Sequence, residues 1–230
     1  MTLPESVLTA EMIRTGRWRS VALKRYNMDA KPPAALLGRK NPYMEFLEEV
    51  RGVMLEMGFE EWAGPIVETE FWHFDALFQA QDHPAREVFD SFHLERPRRG
   101  ELPDPGYVER VRLTHENGWE TGSRGWGYRW SLETAARTVL RAQTTSVSMR
   151  YLYTHKTPPV KMFIVSDCFR YDVQDATHNI QFVQAEGIVG DRGITLRSLF
   201  GVLSEFARRL GFKEVRFSPC YFPFTEPSVE

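Results

Sequence analysis

Residues 162–189 read MFIVSDCFRYDVQDATHNIQFVQAEGIV, two extended runs joined by a polar turn. The first, from Phe163-Ile164-Val165 to Asp172, is rich in β-branched and aromatic residues. The second, residues 180–189, alternates: Ile180, Phe182, Gln184 and Glu186 share one face, while Gln181, Val183 and Ala185 share the other. A solvated face would mix Lys, Thr and Glu, and a core face would be apolar. Here a Gln, a Glu and aromatic residues sit together, with Arg170 and Asp172 on the adjoining strand. Such a face suits the floor of a small-molecule pocket, and a hairpin of this length commits the chain to a sheet.

The chain has 230 residues, 42% of them hydrophobic, enough for one sizeable α/β or α+β domain or two small ones. A net charge of -2 gives no global basic field of the kind that drives nucleic-acid binding, although a local patch for RNA stays open. Cys168 and Cys220 have neither metal-site nor disulfide-framework spacing, which points to a reducing compartment. The first residues lack the apolar stretch of a signal peptide, and no run of eighteen apolar residues occurs. A cytoplasmic chain with no membrane partner is expected.

Residues 1–40 read as an arm or linker, with a short helix over residues 8–15. Asn41 is a good helix cap and Pro42 suits the first helical position; Tyr43, Phe46, Leu47, Val50, Val53, Met54 and Met57 keep helical spacing until Gly58. A strand over residues 62–70 follows, interrupted by Gly64-Pro65 and so placed at an edge or an interface. The aromatic run 71–78 needs burial, and His83 in the polar run after it reads as a turn histidine. Residues 94–131, rich in Pro, Gly and Trp, read as an irregular insertion, a loop or small hairpin. Ser131 caps a helix expected to reach about Arg141, and Gln143-Thr144-Thr145-Ser146 precede another over residues 147–153. Hydroxyls at such a start cap the helix or hold a ligand's amino or carboxylate group. Thr195 caps an amphipathic helix carrying Leu196, Leu199, Phe200, Leu203, Phe206 and Leu210 on one face, ended by Gly211, and a strand is expected over residues 213–222.

Four segments carry a resemblance to a known family. GRKNPYMEFLEEVRGVMLEMGFEEWAGPIVETEFWHFDALFQAQDHPAR is similar to the first class II motif and the segment after it in the phenylalanyl-tRNA synthetase α subunit, closest to the archaeal and eukaryotic form. LRAQTTSVSMRYLY resembles that family's LRTHTT segment, FRYDVQDATHNIQFVQAEGIV its second motif, and YFPFTEPSVE its aromatic pocket strand. The resemblance implies an α+β class II aminoacyl-tRNA synthetase catalytic fold, an antiparallel sheet flanked by helices, over residues 41–230 and incomplete at the C-terminus before the third motif. It also implies ATP-dependent activation of phenylalanine and transfer to tRNA(Phe), with Mg²⁺, by an α subunit paired with a β subunit, two of each. Residue by residue, it implies Arg170 as the catalytic cation at the α-phosphate, with Asp172 and His178 near ATP. Gln143, Thr144, Thr145, Gln184, Ala185 and Glu186 would hold the amino acid, Phe222 and Phe224 would meet its ring, and Glu226 would associate with Mg²⁺.

The sequence departs from the family's pattern in places. Gln143 stands for the His of LRTHTT, Val183 for the His of FHQ, Asp172 for the Glu of FRxE, and Ala80 for the Pro of QPQDHPAR. Val183, on the face opposite Gln184, affects packing more than chemistry. Two other readings stay open: a synthetase-like paralogue that binds an amino acid or tRNA without catalysis, and a class II enzyme for another amino acid.

Overall fold

The computed structural model describes residues 5–31, 38–86, 91–222 and 225–230. The chain divides into two units, Met1–Lys40 and Asn41–Glu230. In the first, Thr9 caps α1 (Ala10–Arg14) by accepting from the Met12 amide; a single 3-10 turn follows, Arg17–Arg19. Glu5 bridges to Leu23 in parallel, and Met12 is the one buried side chain among the described residues of this unit.

The second unit opens on α2 (Pro42–Glu56). Asn41 accepts from the Tyr43 amide, Pro42 fills the first turn, and Gly58 closes the helix with a left-handed φ of +80° that disfavours any side chain. Its inner stripe is Leu47, Val50, Val53 and Met54, whereas Tyr43 and Phe46 turn outward. The chain then runs along β1 (Glu60–Glu61) and β2 (Val67–Thr69), which belong to different sheets because Gly64-Pro65 divides the expected strand. Gly64 passes so close to Val147 that an added Cβ would lie 2.5 Å from its Cγ2. The aromatic run forms α3 (Glu70–His73) and a 3-10 turn, Asp75–Leu77, with Phe71, Trp72 and Phe74 buried.

Residues 94–131 correct the sequence reading. They contain α4 (Pro105–Asn117), capped by Asp104 and closed by Gly118. Pro105 counted as a breaker is instead the first helical residue, where a missing N–H costs nothing. Ser131 does cap a helix, accepting from Thr134, but α5 (Leu132–Ala135) has only four residues. Residues 138–140 form β3 (Thr138–Leu140), whose β-branched Thr138 and Val139 are buried antiparallel to β2.

After α6 (Thr145–Thr154) comes the hairpin, β4 (Val160–Phe169) and β5 (Gln181–Gly190), paired antiparallel from Val160↔Gly190 to Phe169↔Gln181. On its other side β4 pairs with β1 in parallel, so the sheet is mixed rather than wholly antiparallel, within the same α+β class. A strand covered on both faces is apolar nearly throughout, and Val160, Met162, Phe163, Ile164, Val165 and Cys168 are all buried. One face meets Leu47, Val50, Met54 and Phe59; Val183 and Val189 of β5, Val202 and Phe206 of α7 (Leu196–Arg209) and its C-cap Leu210 complete that layer. A capping box between Thr195 and Ser198 starts α7, whose apolar side stays half exposed. The final strand is shorter than expected: β6 (Pro219–Phe222) pairs with β7 (Thr225–Val229) as a two-stranded sheet, and residues 213–218 are irregular.

Candidate active site

A cleft of about 390 Å³ opens between the 3-10 turns after α3 and the end of β4. Gln143, Arg170, Asp172 and Phe222 line it together with His73, Gln79 and His83. Buried charge anchors part of this lining. Arg86 donates to Glu70 Oε2 at 3.3 Å, to Asp75 Oδ1 at 2.7 Å and to the Gln79 carbonyl, all inside the protein. Glu70 also meets Arg137 and His93, at 2.7 and 3.0 Å. Burial pushes the Asp75 carboxyl up to about 6 against the pull of Arg86. Through Arg86 this cluster fixes the strap of residues 79–86, in which Gln79 Nε2 and the Ala85 amide both donate to His83 Nδ1; His83 is a turn histidine.

Arg170 lies one residue past the end of β4, not on the strand, and Asp172 lies beyond it in the connecting loop. The Arg170 amide still donates to the Ile180 carbonyl at 3.0 Å, so the residue is anchored to the hairpin. Its Nε donates to the Ala142 carbonyl at 3.1 Å, and the guanidinium sits 5.0 Å from the Phe182 ring centroid. Its terminal amino groups have no partner among the described residues, and the residue lines the cleft.

Glu186 forms the second centre. Its Oε2 accepts from Thr144 Oγ1 at 2.9 Å, from Thr145 Oγ1 at 2.6 Å and from Gln184 Nε2 at 3.4 Å; its Oε1 accepts from Ser148 Oγ at 2.6 Å. Thr144 makes no side-chain cap, because its hydroxyl is spent on the carboxylate. Four neutral donors hold Glu186, and no cation pairs with it among the described residues. Gln184 is held in turn by Cys168, whose thiol lies 3.6 Å from its Oε1; burial pushes that thiol up to about 11. The two centres are joined by four consecutive residues, since Ala142 touches Arg170 and Thr144 and Thr145 touch Glu186. Three peptide units cover at most about 11 Å.

That joining segment is fixed from below by Arg141, which is fully buried and has no carboxylate partner among the described residues. It donates to the carbonyls of Gly64 and Pro65 at 3.2 Å and of Asp167 at 2.7 Å, and to the Ser166 hydroxyl. It thereby ties the Gly64-Pro65 break to the end of β4.

The remaining expected residues are dispersed. His178 stays inside the 170–180 loop, its Nδ1 2.9 Å from both Asp175 oxygens, in a turn away from the cleft lining. Hydrogen bonds from Thr177 and His178 hold the Asp175 carboxyl down at about 2. Ala185 lines the groove against α7 with Gly187 and Val189. Glu226 is exposed on β7 and does not line the cleft; Phe224 lies outside the described residues. Sequence reasoning missed Ser148 and His73. Ser148 lies one helical turn beyond Thr144 and Thr145 and so shares their face, a signal that the sequence carried. His73 carried no such signal.

The family model described as the tRNA synthetases class II core domain (F) matches residues 25–230. The chain is 48% identical over 97% of its length to the phenylalanine–tRNA ligase alpha subunit of Methanopyrus kandleri, covering 43% of that protein. It is 50% identical over 98% of its length to the protein of the same name from Aeropyrum pernix, covering 45% of it. It thus spans less than half the length of these curated relatives. Among solved structures, a pyrrolysyl-tRNA synthetase of Desulfitobacterium hafniense shares the fold with a TM-score of 0.50 at 13% identity, over 77% of this chain and 49% of that one. With the family model spanning the whole second unit, the chain belongs to the class II tRNA synthetase core-domain family of the (F) type.

Proposed function

We propose that residues 41–230 are the catalytic-domain part of a phenylalanine–tRNA ligase α subunit, which activates phenylalanine with ATP and transfers it to tRNA(Phe). The observation that carries this reading is Glu186, a carboxylate held by three hydroxyls and an amide, with no cation paired to it among the described residues. Such a group is a preformed receptor for an ammonium, here the amino group of phenylalanine. The substrate carboxylate, fixed near Glu186 by that amino group, attacks the α-phosphate of ATP; a carboxylate–phosphorus bond forms and pyrophosphate departs. Two anions must meet, so a permanent cation is needed where they do, and the unpartnered end of Arg170 supplies it.

Gln143 and Gln184 border the amino acid and Phe222 meets its ring; Ala185, which lines the groove against α7, and Phe224 are assigned their roles from the family pattern alone. Asp172 serves the nucleotide side, and His178, in a turn away from the cleft lining, is assigned there from the family pattern alone. The cleft offers one carboxylate, Asp172, and among the described residues no group of three or more His, Cys, Asp or Glu is placed to hold a metal. Mg²⁺ would therefore enter on the nucleotide's phosphates, and Glu226, outside the cleft lining, does not fit a cage for it here.

The outward face of α2, with Tyr43 and Phe46 about half exposed, supports a subunit contact with β in a hetero-oligomer of two α and two β subunits. No described helix is long and apolar enough to cross a membrane, and a cytoplasmic location fits the substrates. The test is phenylalanine-dependent ATP–pyrophosphate exchange by the full-length α subunit with its β partner. Native protein should exchange, and Arg170→Ala should lose exchange by at least about a hundredfold with its circular dichroism unchanged. Folded native protein that does not exchange, or a variant that exchanges normally, would refute the assignment.

A further inference from the structure

We propose that His73 is a positioning residue which, through the peptide of Ala142, sets the direction of the Arg170 guanidinium. It rests on the reading of Arg170 as the phosphate-facing cation, but its own geometry can be tested without nucleotide.

His73 ends α3 and is fully buried beneath the cleft. The Ala142 amide donates to its Nε2 at 3.2 Å, so that nitrogen must keep its lone pair and the ring proton belongs on Nδ1. The carbonyl of the same residue, Ala142, accepts from Arg170 Nε at 3.1 Å. The two contacts sit on adjacent peptide groups that share the Ala142 Cα, with only that residue's φ and ψ between them. The His73 main chain adds a second hold, its carbonyl accepting from Gln143 Nε2 at 3.4 Å. Phe74 packs edge-on against the imidazole at 4.4 Å and fixes the ring plane.

Arg170 needs such a hold. It is exposed, lies past the end of β4, and is constrained at Nε by one bond and on one face by Phe182. If the Ala142 carbonyl turns away, the guanidinium loses its only hydrogen bond to the protein among the described residues. Its terminal amino groups then no longer point in a fixed direction. The acceptor is also permanent. Burial, reinforced by the facing charges of Arg86, Arg141 and Arg170, holds the His73 ring down at about 3, so it stays neutral wherever the protein works. A Lys or a protonated His at this place would turn the Ala142 amide away.

The Nδ1–H of His73 is buried with no partner among the described residues. That leaves a donor unsatisfied, which burial makes costly. A merely structural position would favour an apolar ring of similar size. The retained nitrogen is explained by the acceptor on its other side.

The experiment is heteronuclear NMR on this chain, following the Arg170 Nε–H signal and the His73 ring nitrogens, with mant-ATP titration of the same samples. Variants are His73→Leu, which removes the acceptor; His73→Gln, whose Oε1 can replace Nε2; and Arg170→Ala. In the native chain the Arg170 Nε–H should be protected from exchange, and His73 should remain the Nδ1–H tautomer from about pH 5 to about pH 8. His73→Leu should abolish the protection and His73→Gln should restore it. ATP affinity should fall about tenfold in His73→Leu and recover in His73→Gln. It should not fall further when His73→Leu is added to Arg170→Ala, because the effect runs through Arg170. An unchanged Arg170 signal in a folded His73→Leu protein, failure of Gln to restore it, or an Nε2–H tautomer in the native chain would overturn the proposal. If the NMR result holds but Arg170→Ala binds ATP normally, the role of His73 stands and the phosphate assignment of Arg170 fails.

Discussion

Acid should destabilise this fold well above the range in which most carboxylates titrate, and two histidines are the reason. His73 and His115 are both fully buried. Burial, with Arg86 nearby, holds His115 down at about 4, its Nδ1 accepting from the Tyr128 hydroxyl and its Nε2 donating to the Asp75 carbonyl. His73 lies lower still, at about 3, against an ordinary value of 6.5. A histidine kept neutral in the fold binds fewer protons than it does in the unfolded chain. Its contribution is therefore complete above the ordinary pKa and is lost as pH falls below it toward the folded value. From about pH 7 to about pH 5 each ring crosses roughly 1.5 units of that window, a loss of about 2 kcal/mol apiece.

Asp75 opposes them. Its carboxyl is raised to about 6 from 3.8, so the folded chain takes up this proton first and regains about 1.4 kcal/mol between about pH 6 and pH 5. Glu68, also raised by burial, acts in the same sense. Asp175 and Glu205, held near about 2 by hydrogen bonds, stay ionised throughout this range and are lost only in stronger acid. The net expectation is a loss of about 2–3 kcal/mol between pH 7 and pH 5. Urea unfolding at the two pH values, followed by the fluorescence of buried Trp72 and Trp130, measures it directly. His73→Gln and His115→Gln should each shrink the difference by about 2 kcal/mol, whatever they do to stability at neutral pH. Equal stability at the two pH values, or variants that leave the difference intact, would refute the argument that burial holds these rings neutral.

Two further outcomes test the site's supports. Gly64→Ala should destabilise by about 1–3 kcal/mol in urea unfolding, since its Cβ would strike Val147 at 2.5 Å; adding Val147→Ala should recover part of the loss. Glu186→Gln should keep the fold and lower phenylalanine affinity by about tenfold or more in calorimetric titration, because the amide retains hydrogen bonding but loses the charge that an ammonium needs.

What the sequence determined by itself is what short-range physics dictates. Asn41-Pro42 and Thr195 start their helices through caps within three residues, and the β-branched run 163–165 takes a central strand. The alternation of residues 180–186 set Gln184 and Glu186 on one face, and Val183 indeed packs toward α2 and α7. The same short-range reading missed α4, where Asp104-Pro105 opens a helix, and ran α5 on through residues 138–140. There a partner strand decides the outcome, because β2 offers Thr138 and Val139 a ladder that an isolated segment lacks. The four motifs, read together, placed the chain in its family before any coordinate was known. Contacts between distant segments were decided only by tertiary structure: Arg141 against Gly64 and Pro65, Ser148 against Glu186, His73 against Ala142. Each joins groups separated by 38 to 77 residues. No local preference encodes such a pairing; it exists because the packed sheet and helices bring buried polar groups from distant segments within reach of one another.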